Sequence, residues 1–157
     1  MAMNYVYGKS KIGKVAYDVY IKANEIATAW GDTNTWVKVG ICAEKPQITV
    51  PAGDTYKVNT GDEPIISANI NFEAVVSEVT AANYTALKGL INKDASVAFV
   101  VTGGSAPSGD IAPTNGIIAK SLIIYPELMF ISNDQNTIKL TGKREISPTD
   151  TTSVSLG

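Results

Sequence analysis

Apolar and polar residues alternate along most of the chain, and this period of two predicts β-strands. The clearest case is the segment PIISANINFEAV at 64–75. We expect its apolar side to face a core and its polar side to face water, a ligand or another copy of the chain. The apolar side consists of Ile66, Ala68, Ile70, Phe72 and Ala74, and the polar side of Ser67, Asn69, Asn71 and Glu73.

Other segments repeat this alternation, between turn residues such as Gly, Pro, Asn and Asp. ASVAFVVT at 95–102 is apolar on both faces, which is typical of a strand buried on both sides. Pro126 is expected to end the strand before it, or to mark an edge or a bulge. The pattern predicts a mainly β fold, an antiparallel β-sandwich or barrel. The further strand segments are 13–23, 35–43, 48–50, 55–60, 116–125 and 137–145.

One segment, TAANYTALKGLI at 80–91, has a helical pattern instead. Thr80 is a good N-cap residue, and Tyr84 and Leu87 begin an apolar stripe with helical spacing. Asn92 follows as a candidate for the C-terminal cap. We therefore expect one short helix packed on the sheets.

The length of 157 residues suits one domain. We expect a β-sandwich over 13–145, flanked by an N-terminal arm at 1–12 and a C-terminal arm at 146–157. The segment GGSAPSGDIAPTNG at 103–116 predicts a long loop, and loops of this length in compact domains are usually functional or disordered.

The composition argues against several classes of function. The net charge is −2, from 13 basic and 15 acidic residues, which does not suit a nucleic-acid-binding domain. The chain has no histidine, so Ser–His or Cys–His catalysis and histidine-based metal sites are excluded. The single cysteine, Cys42, cannot form an internal disulfide and is expected in the core. We expect no enzyme, no cofactor and no metal.

The sequence contains no apolar run that suits a signal peptide or a membrane helix. We therefore expect a protein that is made and folded in a cytoplasm and has no membrane partner.

The layout resembles a known family, the tail tube (major tail) proteins of tailed bacteriophages. The resemblance covers roughly 48–145: the long strand region TYKVNTGDEPIISANINFEAVV, then the helix TAANYTALKGLI, then the buried strand ASVAFVVT. It implies hexameric rings that stack into a hollow tube, in which strands from six subunits form one barrel whose inner face lines the DNA channel.

The resemblance also implies partners, a location and roles for particular residues. The chain would assemble with itself in the host cytoplasm and become part of the virion tail. It would contact tape-measure, tail terminator and sheath proteins, and DNA would pass through the tube without specific binding. Lys139 would place a positive charge on the lumen. The implied lumen residues are Ser67, Asn69, Asn71, Glu73, Thr137 and Thr141; the inter-subunit loop residues are Gly103, Gly104, Pro107, Gly109 and Pro113; the inter-ring arm residues are Tyr5 and Tyr7.

Two alternatives remain open at this point. One is another virion component, such as a capsid decoration protein, which would bind a preformed shell without self-assembly. The other is a carbohydrate-binding β-sandwich that uses Trp30 and Trp36 as stacking platforms. In the second case, replacing either tryptophan by alanine would weaken ligand binding.

Overall fold

A computed structural model of the chain describes residues 16–25, 35–42, 46–129 and 137–157. Within these ranges the chain forms one short helix and eight strands. In chain order they are β1 (Tyr17–Ala23), β2 (Trp36–Cys42), β3 (Gln47–Thr49), β4 (Ala68–Val76), α1 (Ala81–Lys88), β5 (Ala95–Val101), β6 (Gly116–Met129), β7 (Thr137–Ile146) and β8 (Val154–Leu156).

Some of the sequence predictions lie outside the described residues. They are the N-terminal arm at 1–12 with Tyr5 and Tyr7, and the stacking role of Trp30.

The strands are hydrogen-bonded in the order β2-β1-β5-β6-β7-β4-β3, and every pair is antiparallel. The strands form two sheets: sheet A contains β1, β2, β5 and β8, sheet B contains β3, β4 and β7, and β6 belongs to both. Its first half, residues 116–122, pairs with β5 and β8 in sheet A, and its second half, residues 123–129, pairs with β7 in sheet B. The sheets meet again where Ile41 and Ser77 exchange two backbone hydrogen bonds, of 3.1 and 2.7 Å. The predicted fold class, a mainly β sandwich or barrel with one helix, is confirmed.

Strand β6 changes sheets at Ser121, which has a φ of 58° although it is not glycine. The register of β5 with β6 shifts between Ala95 and Val97, at the same level. The buried Ser96 fixes this irregular point, because its Oγ accepts a hydrogen bond from Ser121 N–H at 3.2 Å and another from Asn24 Nδ2 at 2.9 Å. A bulge of this kind bends a strand, and here it turns β6 from one sheet into the other.

The core fills the space between the two sheets. Phe72 of sheet B and Phe99 of sheet A meet edge to face, with ring centroids 5.9 Å apart. Gly142 lies directly opposite Phe72 on β7, and the Phe72 ring occupies the space above it. The apolar side predicted for β4 is confirmed for its regular part: Ala68, Ile70, Phe72 and Ala74 are all buried.

The helix begins as predicted and ends earlier. Thr80 is the N-cap, and its Oγ1 accepts a hydrogen bond from Asn83 N–H at 3.1 Å. Leu87 is buried, which confirms this part of the predicted stripe. The regular helix stops at Lys88, and Asn92 has a φ of 64° in the turn that follows.

Two sequence predictions about chain segments differ from the structure, and the structure decides between the alternatives expected for Pro126. Residues 55–60 do not form a regular strand. Pro126 does not end β6; it lies in the second half of that strand, which pairs only with β7 among the described residues, so it marks an edge. The segment 146–157 is not an extended arm, because its strand β8 pairs with β6 and Gly157 N–H donates to the Gly116 carbonyl.

Candidate functional site

Sheet B has one side against the core and one side that the described chain leaves largely open. Residues directly opposite each other on neighbouring strands share a side, so the register defines this outer face across four strands. Polar side chains dominate it on β3, β4 and β7. Its members are Gln47 and Thr49 on β3; Asn69, Asn71, Glu73 and Val75 on β4; Lys139, Thr141, Lys143 and Glu145 on β7; and Ile123, Tyr125 and Glu127 on β6.

Charges on the outer face nearly balance. Lys139 Nζ lies 2.8 Å from Glu73 Oε1, and this hydrogen bond and charge raise the pKa of Lys139 above its ordinary value. The remaining charged groups are Lys143, Glu127 and Glu145. The positive charge that Lys139 would bring to a lumen is therefore paired within the chain, and the face is close to neutral with a slight acidic excess.

Four of the six predicted lumen residues lie together on the outer face. Asn71 and Glu73 are exposed, and Asn69 and Thr141 are partly exposed. Glu73 lies directly opposite Thr141. Their position on one open side is what a lumen would require, while the lumen itself stays a prediction.

The other two predicted lumen residues, Ser67 and Thr137, are buried, so the expectation for them is wrong. Ser67 Oγ accepts a hydrogen bond from Asp54 N–H at 2.8 Å and lies against Gly53, where no Cβ would fit beside it. The neighbouring segment at 53–54 thus encloses this hydroxyl. Thr137 begins β7 opposite Met129 and has no open surface.

An apolar patch on β6, which the alternation of residues did not predict, interrupts the polar outer face. Ile123 and Tyr125 are 45% and 49% exposed, although they lie on the same side as the polar residues. Lys88 Nζ of α1 lies 5.6 Å from the Tyr125 ring centroid. The run GIIAKSLIIY does carry a signal for the patch, since both of its alternating sides are apolar around 122–125.

Residues 50–66 form a hairpin extension that continues β3 and β4 beyond the sandwich. Backbone hydrogen bonds join its two halves, for example from Tyr56 N–H to the Pro64 carbonyl at 3.0 Å. The turn at its tip has Gly61 at a φ of 88°, a conformation that favours glycine. Nearly every residue of this hairpin is exposed.

The long loop 103–116 lies on the outer side of sheet A. Lys22, whose side chain is buried, forms an ion pair with Asp110 at 3.0 Å, and this contact lowers the pKa of Asp110. Trp36 Nε1 donates a hydrogen bond to the Gly109 carbonyl at 2.9 Å, and Lys22 Nζ lies 5.3 Å from the Trp36 ring centroid. The loop is therefore held by two anchors to its own domain.

The predicted inter-subunit residues of this loop have different surroundings. Pro107 is buried and Pro113 is partly buried, while Gly103, Gly104 and Gly109 are exposed. The inter-subunit role of this loop stays a prediction. Trp36 is half-buried and its N–H is already bonded, so it is not a free stacking platform.

The described ranges contain no group of three or more His, Cys, Asp or Glu side chains that would hold a metal ion. They also contain no helix with the length and apolar character needed to cross a membrane. No protein-family model matches the chain, and the comparison with curated proteins found no match either.

Proposed function

We propose that this chain is a structural virion protein that self-assembles into stacked rings and forms the tail tube of a tailed bacteriophage. The observation that carries the proposal is the outer face of sheet B, a four-stranded surface that is polar over three of its strands and left open by the described chain. In the assembled tail this face would line the channel through which DNA passes. Assembly would take place in the host cytoplasm.

The chemistry of this face suits a surface past which DNA moves. Short side chains such as Asn69, Asn71 and Thr141 keep the wall smooth. Tight DNA binding requires basic side chains that neutralise phosphates; the outer face has two, Lys139 and Lys143, and Lys139 is paired with Glu73. The slight acidic excess would repel the phosphate backbone weakly, so DNA would not adhere.

The edges of sheet B support ring formation. Among the described residues, β3 pairs only with β4, and the second half of β6 pairs only with β7. Unpaired edges of this kind are unfavourable in a lone sandwich because other chains can pair with them. Contact between opposite edges of one sheet is head-to-tail, and such contacts close into rings when the rotation allows it.

The two alternatives differ in what supports them. The carbohydrate-binding alternative depends on the two tryptophans as stacking platforms; Trp36 does not provide one, and Trp30 lies outside the described residues. A decoration protein would have the same fold but would bind a preformed shell and not itself. Contacts with tape-measure, terminator and sheath proteins follow only from the tube proposal.

Electron microscopy of the concentrated protein tests the proposal. We expect rings or tubes in negative stain, whereas a decoration or binding module would give separate small particles. The double variant Asn69→Lys/Asn71→Lys should still assemble but should hinder DNA passage, measured as virus infectivity. A matched control, Ala82→Lys/Thr85→Lys, adds the same charge on the exposed side of α1 and should retain infectivity. Equal infectivity of the two double variants would contradict the lumen assignment.

A further inference from the structure

The hairpin extension keeps the register of β3 with β4. The isolated bridges Ala52↔Ala68 and Thr55↔Ile65 continue the pairing of Thr49 with Asn71. Side chains therefore keep alternating between the two sides defined in sheet B. One side of the hairpin continues the outer face, and the other continues the side that is buried in the core.

The core-side residues of the hairpin have no core beneath them. Ile66 is 56% exposed and Tyr56 is 62% exposed, and Pro64 beside them is also exposed. Asp54 lies opposite Ile66 and adds one carboxylate. We call these four residues the hairpin face. A lone two-stranded hairpin is only marginally stable, and an apolar side on it indicates a contact surface.

A second uncovered apolar surface lies at the other edge of the same sheet. Ile123 and Tyr125 on β6 form it, and we call them the β6 patch. Two cations border it: Lys143 lies directly opposite Ile123, and Lys88 lies near the Tyr125 ring. Glu127 follows Tyr125 on the same side of β6, so two cations and one carboxylate lie around the β6 patch, while the hairpin face carries the negative charge of Asp54.

We propose that the hairpin face of one copy packs on the β6 patch of the next copy. Two observations select a second copy as the partner: the surfaces lie at opposite edges of one sheet, and their charges are complementary. Strands in closed barrels are tilted, so a hairpin that extends one subunit leans across its neighbour. The contact covers the apolar interruption of the outer face. This inference rests on the proposed ring and names the surfaces that join its subunits.

Two adjacent isoleucines provide a matched test. Ile66 belongs to the hairpin face, whereas Ile65 is 49% exposed on the opposite side of the same hairpin. Ile66→Ser should raise the protein concentration needed for assembly by about tenfold or more, because it removes buried apolar surface at every contact. Ile65→Ser should change the protein concentration needed for assembly by less than about twofold, because surface substitutions outside a contact usually have small effects. Sedimentation velocity over a concentration series measures both.

Cross-linking identifies the receiving surface. Copies with Ile66→Cys are mixed with copies carrying Tyr125→Cys and treated with a short bismaleimide. The native Cys42 is buried, and the unmodified chain serves as the control for any reaction at that residue. We expect cross-links between position 66 of one copy and position 125 of another, seen by mass spectrometry. Assemblies that form without this cross-link, or equal behaviour of the two serine variants, overturn this inference alone. If the unmodified protein never assembles, the proposed function fails as well.

Discussion

Replacing Gly142 by alanine tests how closely the two sheets pack. A Cβ at this position would overlap Phe72 Cε1 and lie 2.6 Å from Phe72 Cδ1. The ring has little room to move, because Phe72 is buried in the core and also packs edge to face on Phe99. Overpacking costs about 1–3 kcal/mol, while alanine in place of glycine in a strand returns about 0.5–1 kcal/mol of backbone entropy. We expect a net loss of about 1–2 kcal/mol in the free energy of unfolding.

Urea denaturation followed by circular dichroism, below the concentration of assembly, measures this loss. The melting temperature should fall by about 2–8 °C, since 1 kcal/mol corresponds to about 2–4 °C for a chain of this size. Phe72→Leu alone should cost about 1–2 kcal/mol through the lost edge-to-face contact. If overlap between the added Cβ and the Phe72 ring causes the loss, the double variant Gly142→Ala/Phe72→Leu should be at least about 1 kcal/mol more stable than the sum of the two single losses predicts. Strict additivity, or an unchanged stability of Gly142→Ala, would refute this reasoning.

Three further changes should have separable effects on the free energy of unfolding. Thr80→Ala removes the helix N-cap and should cost about 1 kcal/mol by urea denaturation, whereas Thr85→Ala, exposed within the helix, should cost less than about 0.5 kcal/mol. Ser96→Ala leaves the partly buried Ser121 N–H without its acceptor and removes one of the two acceptors of Asn24 Nδ2, so it should cost about 1–3 kcal/mol; a cost near zero would contradict its role at the bend. Lys22 lowers the pKa of Asp110 below 3.8, so Asp110 stabilises the fold above that pH and loses this effect as the pH falls through the lowered pKa. Asp110→Asn should therefore lower the urea midpoint at pH 7, with a difference that shrinks below about pH 4; a constant difference would contradict the ion pair.

Strand periodicity predicted correctly which residues of β4 share a side. It did not predict how far along the chain the opposing sheet covers the apolar side. Ile70 and Phe72 are buried as expected. Ile66 is on the same side and is exposed, because the hairpin continues past the end of the opposing sheet. Ser67 is on the polar side and is buried, because the partner strand closes over its hydroxyl. Alternation reports the direction of a side chain, whereas burial also depends on what lies opposite it.

The sequence pattern did not predict contacts between segments that are distant along the chain. Lysine side chains are mostly exposed, yet the Lys22 side chain is buried and bonded to Asp110, 88 positions away. The change of sheet within β6 takes place at Ser121, where no glycine signals an unusual backbone. Both features follow from how the sheets and the loop pack together, and neither has a local signature. The outer face of sheet B was predictable in large part, since its polar positions on β4 and β7 follow a simple alternation.

A cryo-electron microscopy structure of the concentrated protein is the most direct test of the central claim. The proposed function predicts rings or tubes in which Asn69, Asn71 and Glu73 from every copy point into one shared lumen. A protein that remains monomeric at all concentrations would contradict it. So would an assembly in which these three side chains face the outside.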